Sequence, residues 1–130
     1  MSIRYVADTM AVVLHCENRR LPKAAQVIFA AAGRGEFQVG VSAMTLAEIG
    51  YLFEKKRIAL SVDALLSQAL ALGLVVLALD DLVVQRAFQI IDIPELHDRL
   101  IAATAWQRSL PLLTNDPVIR ASAAGLTRWE

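Results

Sequence analysis

The chain has 130 residues, of which 56% are hydrophobic, and its 13 basic and 13 acidic side chains cancel. That length suits one domain spanning 1–130 with a real core, and the high apolar fraction suits strands covered on both faces. Zero net charge leaves no global field to draw in nucleic acid, so such a partner needs a local patch. The longest apolar run, Ala69–Leu79, is 11 residues, far short of the roughly 20 that span a bilayer. "MSIRYVAD" has none of the parts of a signal peptide, and the lone Cys16 has no partner for a disulfide or a zinc cluster. The expectation is a protein of a reducing cytoplasm with no membrane partner.

In chain order, four segments read as buried strands: "IRYVA" from Ile3, "FQVGV" from Phe37, "LVVLAL" from Leu74 and "LPLLT" from Leu110. Their starts lie 34, 37 and 36 residues apart with no residue-level repeat, and each interval has room for two short helices or one longer one. Pro22 opens "PKAAQVIFAAAG", with Gly33 expected just past its end. Ser42 caps "AMTLAEIGYLFEKKR", whose closing Lys55, Lys56 and Arg57 complement a helix C-terminus. Ser61 caps "VDALLSQALAL", closed by Gly73, and Asp80 caps "DLVVQRAFQII". A further helix covers "HDRLIAATAWQRS", and "GLTRW" supplies a short fifth edge strand. Alternating strands and helices imply an α/β fold with a parallel sheet, whose ligands sit beyond the C-terminal ends of the strands.

Four carboxylates deserve weighing against plainer explanations. Asp8 ends the first strand and Asp116 the fourth, yet each also suits a helix N-cap, with Pro117 at the first position of the following helix. Glu48 stands three residues after Thr45, the spacing of a capping box that would explain both. Asp98 leads Ile101, Ala102 and Ala105 on one helix face, which puts a carboxylate at the head of an apolar stripe. A first-turn acid facing the helix dipole is its plain alternative. If the first and fourth strands are neighbours, the four acids converge, and they cannot all ionise together without a cation. Mg²⁺ or Mn²⁺, hard and oxygen-seeking, is the natural counter-charge.

"YVADT", "TLAEIGYL", "HDRLIAATA" and "LLTND", in this order, resemble the PIN domain, and VapC-type toxin ribonucleases in particular. The resemblance covers nearly the whole chain. It implies a five-stranded sheet in the order 3-2-1-4-5 and an acidic site of Asp8, Glu48, Asp98 and Asp116 holding Mg²⁺ or Mn²⁺. Thr9 and Thr114 match polar positions that support such a site. Met10 stands where the family often has Ser or Asn. The implied activity is hydrolysis of RNA phosphodiester bonds; the implied partners are a cognate antitoxin protein and a second copy of the chain in a homodimer. The antitoxin groove would be lined by "QVIFAAAG" and "EIGYLFEKK". With no net charge, RNA contacts are expected from Arg19, Arg20 and Arg99 near the acidic mouth.

Two other functions compete. A receiver-like signalling domain also holds Mg²⁺ in an acidic pocket, but it needs paired acids at the first strand and a late lysine, and this chain has no lysine after Lys56. A PIN-like fold kept only for protein binding is the other, and Met10 is what favours it. His15, His97, Cys16, "GRGEF", Asp63, Asp80, Asp81 and Asp92 read as structural or surface features.

Overall fold

A computed structural model of the chain describes residues 2–130. The elements run β1 (Ile3–Ala7), α1 (Thr9–Cys16), α2 (Lys23–Gly33), β2 (Gln38–Ser42), α3 (Ala43–Glu54) and α4 (Val62–Leu72). They continue with β3 (Leu74–Leu77), α5 (Asp81–Ala87), α6 (Leu96–Gln107), β4 (Leu112–Leu113), α7 (Pro117–Ala121) and β5 (Thr127–Arg128). Each interval between the first four strands therefore holds a pair of helices.

All strand pairs are parallel and the sheet order is β3-β2-β1-β4-β5. This differs from the 2-1-3-4-5 order of receiver-like folds and removes the signalling alternative. Chain direction reverses its progress across the sheet between β1 and β4, where Val6 pairs with Leu112 and Ala7 with Leu113.

Alternation along these strands divides the core into two layers. Ala7 and Leu113 face α1 to α4, packing with Val12, Phe29, Ile49 and Leu65. Their neighbours Val6 and Leu112 face α5, α6 and α7, packing with Val83, Ile93, Ile101 and Ile119. With both faces covered, the strands can be continuously apolar, as the composition suggested.

Several boundaries differ from the expected ones, each for a local reason. The helix α3 ends at Glu54, because Lys56 turns left-handed with φ 57° and peels the basic cluster away from the last turn. Gly33 is the last residue of α2, and the left-handed turn falls on Gly35. The strand β4 shrinks to two residues, since Pro111 has no N–H to place in a ladder. The helix α5 stops at Ala87, and the following turn carries Ile90 into the core.

Candidate active site

Asp8 leaves β1 at the point where β1 and β4 lie side by side. Its backbone N–H donates to the Leu113 carbonyl (3.0 Å), and its Oδ1 accepts from the Ala11 N–H (2.8 Å), capping α1. Asp116 leaves β4 and caps α7, its Oδ1 accepting from Val118 and Ile119. Capping and convergence are thus compatible, because each cap uses one carboxylate oxygen. Thr114, fully buried, ties the two acids: its hydroxyl bonds the Asp8 carboxyl and its Oγ1 accepts from the Asp116 N–H (3.0 Å).

Glu48 is not part of a capping box. Ser42 caps α3 through the Met44 N–H, while Thr45 and Glu48 lie inside the helix. The Thr9 hydroxyl donates to Glu48 Oε1 at 2.5 Å. A hydroxyl has one proton, so across the 3.2 Å Thr9–Thr45 contact the Thr45 hydroxyl is the donor. Asp98 lies in the first turn of α6, with Ile101, Ala102 and Ala105 buried behind it.

These four carboxylates, with Thr9 and Asn115, line one pocket of about 430 Å³; Leu14, Leu52, Ile101 and Trp129 supply apolar wall, and Met10 sits at its edge. Among the described residues no lysine, arginine or histidine lines it, and the nearest such group to its acids is His97, beside Glu48. Burial pushes Asp8 up to about 6, with Asp116 and Glu48 adding repulsion and the bonds from Thr114 and Ala11 opposing it. Asp98 also rises to about 6, from burial first and then the charges of Asp116, Glu48, Glu95 and Asp8. The four acids therefore sense one another, as convergent carboxylates must.

Among the described residues, no three His, Cys, Asp or Glu side chains are drawn together as a ready-made metal cage. Mg²⁺ does not need one: it keeps several waters and is commonly held by one or two carboxylates plus substrate phosphates. Hard oxygen donors, an acidic pocket and no cationic liner fit such an ion.

Sequence reasoning missed three neighbours and set a fourth, His97, aside as a helix-start or surface residue. Asn115 and Trp129 line the pocket; "LTND" carries the first in plain view, whereas nothing near Trp129 hints at its place. Glu95, one turn before Asp98, caps α6 and adds to the field there. His97 Nδ1 lies 3.2 Å from Glu95 and 3.8 Å from Glu48. The three arginines need a correction of place: none lines the acidic pocket. The Arg99 guanidinium turns to the Ile93 carbonyl, and Arg19 and Arg20 border a separate depression beside Leu21 and Gln26.

The PIN domain pattern matches residues 5–124. The chain belongs to the PIN domain family. No curated protein matches it. Among solved structures, this PIN domain resembles VapBC2 from Rickettsia felis, bound there to a promoter DNA fragment, with TM-score 0.75 and 17% identity over 98% of this chain and 100% of that one. It resembles FitAcB from Neisseria gonorrhoeae with TM-score 0.65 and 22% identity, over 95% of each chain. A toxin–antitoxin complex from Klebsiella pneumoniae gives TM-score 0.65 and 16% identity, over 95% and 96%. Identities this low establish the shared fold.

Proposed function

We propose that this PIN domain is a metal-dependent endoribonuclease and the toxin of a toxin–antitoxin pair. The observation that carries the reading is the single pocket lined by Asp8, Glu48, Asp98 and Asp116 without any cationic side chain. The toxin–antitoxin complex from Klebsiella pneumoniae among its structural neighbours supports the second half of the reading. An antitoxin segment would lie along α2 and α3, and the active form would be a homodimer.

Mg²⁺ or Mn²⁺, when bound by these carboxylates, would supply the charge that lets them ionise together and would polarise phosphate and water for in-line hydrolysis. The chain's own residues prepare the geometry. Thr9 fixes one oxygen of Glu48, and the other lies 3.8 Å from His97 Nδ1. Thr114 bonds the Asp8 carboxyl and accepts from the Asp116 backbone N–H, which holds the turn that carries Asp116 close to Asp8. Asp98, pushed up to about 6 by burial and then by its acidic neighbours, holds a proton more readily than an ordinary aspartate, and a bound cation would favour its ionised form. Leu14, Leu52 and Trp129 exclude water from one wall and sharpen every charge interaction there.

The test is cleavage of a panel of structured RNAs with Mg²⁺ or Mn²⁺ against chelator, joined to thermal melts. Wild type should cleave only with metal, and Mn²⁺ should raise its Tm, as a native-state ligand does. Asp98→Asn should lower the cleavage rate at least about 100-fold and blunt the metal response while remaining folded without metal. A wild type that cleaves nothing and melts identically with and without Mn²⁺ would sink the proposal.

A further inference from the structure

Arg19 and Arg20, which the acidic pocket does not use, border a depression of about 570 Å³ together with His15, Asn18, Leu21 and Gln26. Small-molecule sites measure roughly 300–1,000 Å³. The turn from α1 into α2 builds this one. Asn18 takes a left-handed conformation (φ 54°) and folds the chain back over the end of α1. Three carbonyls that a helix end would leave bare are used there: Val13 accepts from Glu17 (2.9 Å), Leu14 from Arg19 (2.8 Å) and His15 from Asn18 (3.1 Å). The Leu21 carbonyl accepts from Gln26 Nε2 (2.7 Å). The rim is left with donors, and among the described residues no carboxylate lines it.

Its parts differ in kind. Arg20 is exposed and joins no ion pair among the described residues. Arg19 is shared: its Nη1 lies 3.4 Å from Glu17 Oε1, while Glu17 Oε2 accepts from the N–H groups of Ala59 and Leu60. His15 supplies a flat surface. The buried Phe29 stacks on its imidazole with centroids 4.1 Å apart and planes 9° from parallel. The part of the imidazole that borders the depression is the part Phe29 leaves uncovered. Burial lowers the His15 pKa, which keeps the ring uncharged near neutral pH. Gln26, with Nε2 committed to Leu21, keeps Oε1 as an acceptor.

A cation just past a helix end commonly serves the helix dipole. That role needs neither a cavity nor a ring. We propose that this depression is a second ligand site, one that binds a nucleoside monophosphate. Its phosphate lies on Arg20 and Arg19, its base on His15, and Gln26 Oε1 accepts from a ribose hydroxyl or an exocyclic amine. Guanidinium forks match phosphate oxygens, and aromatic faces take any base by stacking. Inorganic phosphate or an acidic peptide would leave the ring unused. Val27, the exposed apolar residue of α2, lies about 100° round the helix from Gln26, so a protein partner on that apolar side meets a different face. The site stands apart from the acidic pocket, since Leu14 lines the one and the adjoining His15 the other. It does not depend on the nuclease reading.

The test is isothermal titration calorimetry in EDTA, which denies the acidic pocket a cation, with AMP, ribose 5-phosphate, adenosine and inorganic phosphate. AMP should bind at least about fivefold tighter than ribose 5-phosphate, the gain from stacking. It should bind at least about tenfold tighter than adenosine, the gain from the phosphate. Arg20→Gln should remove the second advantage. His15→Leu, which keeps an apolar contact with Phe29, should remove the first. Arg108→Gln, at the end of α6, should change neither. The comparison of ligands on wild type holds even if His15→Leu fails to fold. Equal affinity for AMP, ribose 5-phosphate and phosphate would mean an adventitious ion only and would overturn the site. So would no measurable AMP binding, or AMP binding that Arg20→Gln and His15→Leu leave intact. A poly-glutamate peptide or a 5′-phosphorylated RNA that binds through Arg20 where AMP does not would overturn it as well.

Discussion

Asp8 gives one oxygen to the start of α1, and burial of the rest of its carboxyl carries its pKa from 3.8 to about 6. Below the unfolded value both states are protonated and burial costs nothing. Between 3.8 and about 6 the folded state holds the proton more tightly, so stability falls as pH rises, and the loss is complete above that window. For so buried a group the loss is on the order of 3 kcal/mol; Asp98 adds to it with the same sign, reduced by solvent. His15 opposes both, since burial lowers its pKa and stability is lost as pH falls below its ordinary 6.5. Asp8→Asn keeps the cap, so melts of wild type and variant in EDTA should coincide near pH 4 and diverge by pH 7, with the variant higher. A gap that ignores pH would contradict the burial cause. Local spacing revealed Asp98, because its stripe of Ile101, Ala102 and Ala105 is indeed buried. It misled at Glu48, whose partner Thr9 lies 39 residues away. It misled at Arg99 too, because adjacent helix residues point about 100° apart, so sequence adjacency to Asp98 did not bring it to the pocket.

Element ends show which local signals survive packing. Gly73 closes α4 as its sequence position suggested, taking φ 71°, and a Cβ there would drive into the Ala32 carbonyl oxygen. Gly33, inside the last turn of α2, has open space around it. The two glycines should therefore answer alanine in opposite ways. Gly73→Ala should cost about 2 kcal/mol or more, from a strained backbone and a clash. Gly33→Ala should gain up to about 1 kcal/mol in helix propensity. Urea denaturation measures both, and a loss at Gly33 matching that at Gly73 would contradict the assignment. The caps at Ser61 and Asp80 were legible because they use short-range chemistry. The tail of α3 was not: Lys55, Lys56 and Arg57 read as a dipole-matched last turn, whereas the left-handed Lys56 ends the helix and Glu17, distant in sequence, holds the chain beyond it at Ala59 and Leu60.

At the scale of the molecule, strand spacing left room for two short helices or one longer one between strands, the structure has two in each interval, and strand order came only through the family resemblance. Nothing local to Val6 or Leu112 says that they pair. Surface chemistry remains readable at this scale. Phe88 is 64% exposed, Ile91 94% and Leu82 51%, on or just after α5, an apolar patch of the kind that marks an interface. Light scattering should report a dimer, and Phe88→Ser/Ile91→Ser should shift it to monomer without unfolding; a wild type that stays monomeric at every concentration contradicts the proposed homodimer. The β1–β4 pairing has a temporal consequence as well. Asp8 is made early, but Asp98 and Asp116 come late, and Leu112 must be in place before β1 has its second neighbour. Chains emerge from the N-terminus, and such long-range parallel pairing is slow to close. The pocket that gathers the four carboxylates is therefore finished only when the late strand β4 has docked beside the early strand β1, and before that step Asp8 has neither Asp98 nor Asp116 for a neighbour.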